Sequence, residues 1–171
     1  MREQGEKPVS LEEFDGRWGQ GPEADREVFF PEWSLEELMA FYEKRFGEYT
    51  RWAKSEPGSE MILKHLQSRN QKIEVASNSP TSVVNDLLKY VGLEKYPDAV
   101  IGVEQVKESK PAPDLLLKAL EVLGLTKQEV CYVGDSTYDA QAAKAAGIFF
   151  VGYKRPGQIS VKNFQELAEL F

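Results

Sequence analysis

Side chains suited to bind an anion and a hard cation follow three successive strand-like segments of this sequence. Ser77 and Asn78 come directly after the first segment. Lys110 lies just beyond the second, and Asp135 ends the third. A hydroxyl and an amide can donate hydrogen bonds to a phosphoryl oxygen, a lysine adds positive charge, and an aspartate can bind Mg²⁺. Together these positions predict a site for phosphoryl transfer. Taken singly, Ser77-Asn78 is also typical of a turn, and Lys110 of a solvated surface lysine.

The third segment, Val130–Val133, is apolar at every position. Such a run predicts a strand buried on both faces, as in a parallel sheet covered by helices. Asp135 follows Gly134 at the carboxyl end of this strand, which is where ligands bind in sheets of this kind. Gly134 can also be explained as a tight turn alone. The position of Asp135, where no helix cap is needed, favours a functional carboxylate.

A helix is predicted over Tyr138–Ala146, directly after the third segment. Ser136 and Asp139 have the spacing of a capping box, in which each side chain pairs with the backbone N–H of the other residue. Asp139 therefore has two interpretations, as a cap of this helix or as a support for a metal that Asp135 binds.

Strands alternate with helices from residue 72 onwards, which predicts right-handed βαβ units and an α/β fold with a parallel sheet. The carboxyl ends of parallel strands share one edge, so the three polar positions are expected to converge there. The predicted strands are Lys72–Ala76, Ala99–Gly102, Val130–Val133 and Ile148–Val151. The predicted helices are Glu60–Arg69, one capped by Ser79 that runs to about Val91, Leu115–Leu123, Tyr138–Ala146 and one from about Asn163.

Residues 1–57 show no strong strand pattern and are predicted to be helical, with a boundary near Pro57. Ser10 and Ser34 are candidate caps of two helices, and Gly47 is expected to end the second. The glycine-rich loop of residues 16–22 does not follow a strand, so it lacks the pattern of a phosphate-binding loop. Three tryptophans in this part are interpreted as a small helical core rather than as a binding surface; they are Trp18, Trp33 and Trp52.

Composition limits the classes of partner. The net charge of −7 argues against a nucleic-acid or anionic-membrane surface. No run approaches the length of a membrane span, and the charged N-terminus has no signal-peptide pattern. Cys131 is alone and lies in a predicted strand, which favours a reducing compartment such as the cytoplasm. An anionic small partner, such as a small phosphorylated metabolite, stays open and would need local positive charge from a lysine, a metal or a helix N-terminus.

Three segments, ASNSP, SKPAPD and VGDSTYDAQAAKAAG, resemble the second, third and fourth motifs of haloacid dehalogenase-like hydrolases, and most closely their phosphoglycolate-phosphatase-like branch. The resemblance implies a Rossmann-like core over residues 58–171 and a partial helical cap over residues 1–57. It implies that Ser77 binds the transferring phosphoryl group and that Lys110 pairs with the nucleophile and the phosphate. It also implies that Asp135 binds Mg²⁺ with support from Asp139. The GDSxxD form favours a magnesium phosphatase over a metal-free dehalogenase.

The family pattern opens with an apolar strand that ends in D-x-D, whose first aspartate becomes an aspartyl-phosphate. No such strand is found in this sequence, and Asp15, within Phe14-Asp15-Gly16, is only a remote candidate because no apolar run precedes it. The chain is therefore expected to be truncated, or inactive as it stands. The missing strand would lie between the Lys72 and Val130 strands.

Three arrangements of the resulting gap are open. The first is a chain that is truncated relative to its gene. The second is a gap filled by the Val28–Phe30 segment or by a second copy of the chain, and the third is direct pairing of the two flanking strands. We expect the gap to be filled, with direct pairing as the second choice. Two function hypotheses follow: a magnesium-dependent phosphatase that acts on a small phosphate monoester, and a non-catalytic protein that binds phosphate or a partner.

Overall fold

The computed structural model describes Ser10, residues 12–13 and residues 16–171. The helices in these residues are α1 (Pro22–Phe29), α2 (Leu35–Tyr49), α3 (Ser59–Ser68), α4 (Thr81–Tyr90), α5 (Asp114–Leu123), α6 (Thr137–Ala146) and α7 (Phe164–Ala168). The strands are β1 (Glu74–Ala76), β2 (Ala99–Ile101), β3 (Cys131–Gly134), β4 (Phe149–Tyr153) and β5 (Ile159–Val161). Two short 3₁₀ turns, Thr50–Trp52 and Val103–Gln105, complete the set. None of the described helices is both long and apolar enough to cross a lipid bilayer.

The strands are parallel, as the alternation of strands and helices predicts, and they form two sheets. β1 pairs with β2, with Val75 opposite Val100. β3, β4 and β5 form the second sheet, with Val133 opposite Val151. The α/β fold class is confirmed. β5 was not predicted, because its three residues follow a loop of Pro156 and Gly157 and give too short a pattern to recognise.

The gap between β1 and β3 is not closed by any described strand. Val28 and Phe29 lie in α1, so the predicted extended filler is wrong; Pro22 at the first helical turn starts a helix there instead. Direct pairing is also wrong, because β1 and β3 belong to different sheets. Side chains occupy the carboxyl end of the gap, since the Lys110 ammonium donates to the carbonyl oxygen of Ala76 at 3.2 Å. Filling by a second copy stays a prediction.

Each face of the strands has its own apolar cluster. On one face Leu116 of α5 and Ala142, Ala143 and Ala146 of α6 pack with Ile148 and with Phe150 of β4. On the other face Ile62 of α3 and Leu167 of α7 pack on Val151 and Val161. The prediction that β3 is fully buried is wrong, since all four of its residues are half-buried. The reason is that β3 has a described neighbour on one edge only.

The N-terminal helices α1 and α2 pack around an aromatic cluster. The ring centroid of Trp33 lies 5.0 Å from that of Phe30 and 5.4 Å from that of Phe41. The predicted core of three tryptophans is correct only for Trp33, because Trp18 is 49% exposed and Trp52 is 70% exposed. A capping box formed by Ser34 and Glu37 begins α2 as predicted. The division of the chain into a cap over residues 1–57 and a core over residues 58–171 stays a prediction.

Two helix ends differ from the sequence prediction. Gly47 does not end α2, which continues to Tyr49, and the Thr50 hydroxyl then donates to the carbonyl of Phe46 at 2.7 Å. Pro80 rather than Ser79 is the cap residue of α4, and its carbonyl accepts the first helical bond from Val84. The carbonyl of Ser79 is used instead by the backbone N–H of Val103.

Candidate active site

The predicted site residues all lie at the carboxyl edge of the strands. Ser77 and Asn78 follow β1 directly, and Asp135 follows β3. Lys110 comes from the turn before α5, and its side chain reaches back to the end of β1. We call this set of residues, together with Asp139 at the start of α6, the rim.

Asn78 joins two parts of the rim through its side-chain amide. Its Oδ1 accepts from the backbone N–H of Lys110 at 2.8 Å, and its Nδ2 donates to the carbonyl of the same residue at 3.0 Å. Nδ2 also donates to the carbonyl of Gly19 at 3.0 Å. Because these bonds engage both ends of the amide, Asn78 in this structure positions Lys110 rather than presenting a free donor to a ligand.

Lys110 is a buried lysine whose ammonium has a full set of partners. It donates to Asp139 Oδ1 at 2.8 Å, to the hydroxyl of Tyr132 at 3.0 Å and to the carbonyl oxygen of Ala76 at 3.2 Å. An ammonium has three hydrogens to donate. The three acceptors account for all of them, so a ligand that binds Lys110 has to replace one of these bonds.

Asp139 accepts four hydrogen bonds. Oδ1 takes those of Lys110 and of the Tyr132 hydroxyl, the latter at 2.7 Å. Oδ2 takes the backbone N–H of Ser136 at 2.9 Å and its hydroxyl at 2.6 Å. Burial acts to raise the pKa of Asp139, but the Lys110 charge and these hydrogen bonds hold it below its ordinary value. The capping-box interpretation is confirmed. The role of Asp139 in metal support stays a prediction.

Asp135 is the exposed carboxylate of the rim. Its Oδ2 is 3.4 Å from the indole Nε1 of Trp18, and its backbone carbonyl accepts a hydrogen bond from Arg155 Nε. No cluster of three His, Cys, Asp or Glu side chains suited to a metal occurs among the described residues. Mg²⁺ needs no such cluster, since it is commonly held by one or two carboxylates while waters and substrate phosphate complete its shell. The donor set fits a magnesium ion, which Asp135 would hold together with a phosphorylated ligand.

Ser77 is half-buried and keeps its hydroxyl proton available to a ligand. Its Oγ accepts from the backbone N–H of Ser79 at 3.1 Å, and no described residue accepts its own O–H. Lys110, Asn78 and Asp139 are thus linked by hydrogen bonds, whereas Ser77 follows β1 and Asp135 follows β3.

A loop that sequence reasoning set aside also reaches the rim. Residues 16–21 pack against it, with the Gly19 carbonyl bound by Asn78 and Trp18 beside Asp135. A Cβ at Gly19 would lie 2.6 Å from Cβ and Oγ of Ser136, and φ at Gly19 is +88°. The loop therefore needs glycine at this position to approach so closely. The signal in the sequence was its run of glycines, which was discounted because no strand precedes it. Asp15 lies outside the described residues.

Tyr132 is the second residue that sequence reasoning missed. It was counted as an apolar strand residue, yet its hydroxyl lies between Lys110 and Asp139. Burial and the nearby carboxylate of Asp139 raise the pKa of Tyr132 well above its ordinary value, so the hydroxyl stays protonated at neutral pH. The signal in the sequence was a phenol within a run of otherwise apolar residues, since a buried hydroxyl needs a partner.

Comparisons with known proteins agree with this geometry. The model of the haloacid dehalogenase-like hydrolase family matches residues 1–153. The phosphoglycolate phosphatase of Escherichia coli (strain K12) is 42% identical over 87 residues, which are 51% of this chain but only 34% of that protein. The chain therefore matches about a third of the length of this curated relative.

Solved structures are similar as well. A HAD-superfamily hydrolase of subfamily IA, variant 1, from Geobacter sulfurreducens superposes with a TM-score of 0.65 at 28% identity, over 83% of this chain and 68% of that one. CbbY from Rhodobacter sphaeroides, solved in complex with phosphate, has the same fold with a TM-score of 0.83 at 17% identity, over 97% of this chain and 84% of that one. The family match covers most of the sequence, and the parallel strands of an α/β fold agree with it. This chain belongs to the haloacid dehalogenase-like hydrolase family and resembles its phosphoglycolate phosphatases.

Proposed function

We propose that the rim binds the phosphoryl group of a small phosphate monoester and serves a magnesium-dependent phosphatase reaction. The observation that carries this proposal is the buried Lys110 at the carboxyl edge, whose backbone is held by Asn78 and whose ammonium pairs with Asp139. A preorganised positive charge of this kind stabilises the negative charge that develops on phosphoryl oxygens. A protein with a net charge of −7 needs such a local charge to attract an anion.

Each rim residue has a role in the proposed binding. The Ser77 hydroxyl donates to a phosphoryl oxygen, and Lys110 donates to another after exchanging one of its internal partners. Asn78 fixes the backbone of Lys110. Asp139 pairs with the ammonium and caps α6, and Asp135 would hold Mg²⁺, which supplies charge neutralisation when bound.

A second candidate function is phosphate binding without hydrolysis. It is favoured because neither carboxylate of the rim is available as a nucleophile. Asp139 has both oxygens engaged, and Asp135 is assigned to the metal, so neither is proposed to attack phosphorus. None of the described residues is assigned the role of the nucleophile that attacks phosphorus. The two functions share the same binding step and differ only in turnover.

Titration with inorganic phosphate in the presence of Mg²⁺, followed by calorimetry, tests the shared step. We expect saturable binding in the wild-type chain, because Asn78 and Asp139 hold Lys110 in place, and loss of that binding in Lys110→Ala. Lys118→Ala is the matched control, since Lys118 lies on α5 and pairs with Glu121 at the surface. Absence of saturable binding in the wild type, or equal binding in Lys110→Ala, would contradict the proposal.

Hydrolysis assays separate the two candidates. The substrates are p-nitrophenyl phosphate and 2-phosphoglycolate, the second being suggested by the name of the similar Escherichia coli protein. Turnover that depends on Mg²⁺ and is lost in Asp135→Ala supports the phosphatase and overturns the prediction that the chain is inactive as it stands. Phosphate binding without turnover supports the binding protein.

A further inference from the structure

Tyr132 lies beside the rim residues Lys110 and Asp139, and the proposed function gives it no role. Its hydroxyl lies 2.7 Å from Asp139 Oδ1, 3.0 Å from Lys110 Nζ and 3.5 Å from the carbonyl oxygen of Ala76. The ring packs on Phe150, with 6.2 Å between the centroids, so the hydroxyl is held at this position by the core beneath it. The Tyr132 hydroxyl therefore contacts the Lys110 ammonium and also lies near both other acceptors of that ammonium, Asp139 Oδ1 and the Ala76 carbonyl.

The hydrogens of Lys110 have to be redistributed before the lysine can contact a phosphate. All three are directed to internal acceptors, and the bond to the Ala76 carbonyl is the longest of the three, at 3.2 Å. Ala76 precedes Ser77 in the chain, so this bond is made to the residue next to the one proposed to bind the phosphoryl group. The bond to Asp139 is a buried ion pair and is costly to break.

The carbonyl of Ala76 needs a replacement donor if Lys110 leaves it. It lies on the open edge of β1, because the backbone groups of Ile73 and Ser77 are the ones that pair towards β2. The Tyr132 hydroxyl, at 3.5 Å, can become that donor by a small rotation of its O–H bond. Asp139 loses one hydrogen bond in the exchange but keeps those of Lys110 and of the Ser136 backbone and hydroxyl.

We propose that Tyr132 is a positioning residue that frees one hydrogen of Lys110 for phosphate by moving its own hydrogen bond from Asp139 to the carbonyl of Ala76. This inference rests on the proposed phosphate-binding function of the rim. Tyr132 does not touch the phosphate. It acts by keeping the Ala76 carbonyl paired while Lys110 changes partners, which lowers the cost of binding.

Tyr132→Phe tests the inference, with Tyr96→Phe as the matched control. Tyr96 is also a buried tyrosine whose hydroxyl donates to a carboxylate, that of Glu60 at 2.8 Å. It precedes β2 and so lies at the opposite edge of the sheet. In phosphate titrations with Mg²⁺ we expect Tyr132→Phe to bind about 10-fold more weakly than the wild type, because the Ala76 carbonyl is left unpaired in the complex. Tyr96→Phe should bind as the wild type does.

A spectroscopic measurement on the wild-type chain keeps the test independent of how Tyr132→Phe folds. With tyrosine labelled by ¹³C at Cζ, phosphate should shift the Tyr132 resonance, since the partner of its hydroxyl changes, and leave that of Tyr96 in place. An unshifted Tyr132 resonance at saturating phosphate, or equal affinities of Tyr132→Phe and the wild type, overturns the role of Tyr132 alone. Failure of the wild type to bind phosphate overturns the proposed function and this inference together.

Discussion

Lys110 and Asp139 form a buried ion pair with 2.8 Å between Nζ and Oδ1, and only 9% and 7% of their side chains are exposed. Removing one partner of such a pair leaves an uncompensated charge in the interior. We therefore expect Asp139→Ala to lower the free energy of unfolding by about 3–5 kcal/mol, measured by chemical denaturation. The loss of the capping box at α6 acts in the same direction.

The matched control for Asp139→Ala is Glu121→Ala. Glu121 pairs with Lys118 at 3.0 Å on the surface of α5, and such pairs contribute less than about 1 kcal/mol. Equal destabilisation by the two substitutions would contradict the prediction that burial makes the Lys110–Asp139 pair more costly to break than a surface pair. It would show that the Lys110–Asp139 pair is solvated in the protein.

The buried carboxylate of Glu74 is expected to make the stability of the protein depend on pH. Both of its carboxylate oxygens are buried without a hydrogen-bond partner among the described residues, and burial raises its pKa to about 7. Because the folded-state pKa is above the unfolded value of 4.5, the stability contributed by this group is present below 4.5 and is lost as the pH rises to about 7. Glu74→Gln should therefore unfold at higher denaturant concentration than the wild type above pH 7, and the advantage should disappear below 4.5.

Glu43→Gln is the control for the Glu74 prediction, because it makes the same chemical change at an exposed position of α2. We expect it to follow the wild type at every pH. A difference between Glu74→Gln and the wild type that is constant across the pH range would show that the charge of Glu74 is not the cause.

The close approach of Gly19 to Ser136 is expected to hold the loop of residues 16–21 against the rim. An alanine there would bring Cβ to within 2.6 Å of Ser136 at a φ that side chains rarely adopt, so Gly19→Ala should detach the loop. The expected result is faster cleavage by trypsin after Arg17, which lies in this loop.

Gly47→Ala is the control for Gly19→Ala. Gly47 lies in α2, and no atom lies within 4 Å of a Cβ built at this position. The substitution should therefore stabilise the helix by about 0.5–1 kcal/mol without changing cleavage at Arg17.

The open edges of β1 and β3 predict self-association. Each strand has a single described neighbour, and unpaired strand edges are sites at which another chain can pair. We expect the mass measured by light scattering to rise with protein concentration towards that of a dimer. A mass that stays at 19.4 kDa over the whole concentration range would mean that a second copy does not fill the gap.

Local patterns of the sequence determined most of the elements and the membership of the rim. Polar residues after apolar runs located Ser77 and Asp135 at strand ends, and the spacing of Ser136 and Asp139 indicated the capping box that the structure contains. These features depend on residues that are neighbours in the chain, so periodicity and capping rules are enough to predict them. The α/β fold followed from the same alternation of strands and helices.

Only the tertiary structure decided which groups share a hydrogen bond across the gap between the two sheets. Tyr132 and Lys110 are 22 residues apart, and Asn78 and Gly19 are 59 residues apart, so no local rule relates them. The same holds for the burial of β3, which depends on the strand that lies beside it rather than on its own apolar composition. Hydrogen-bond partners and burial are properties of the packed chain, because a buried donor is satisfied by whichever acceptor the fold brings within about 3 Å.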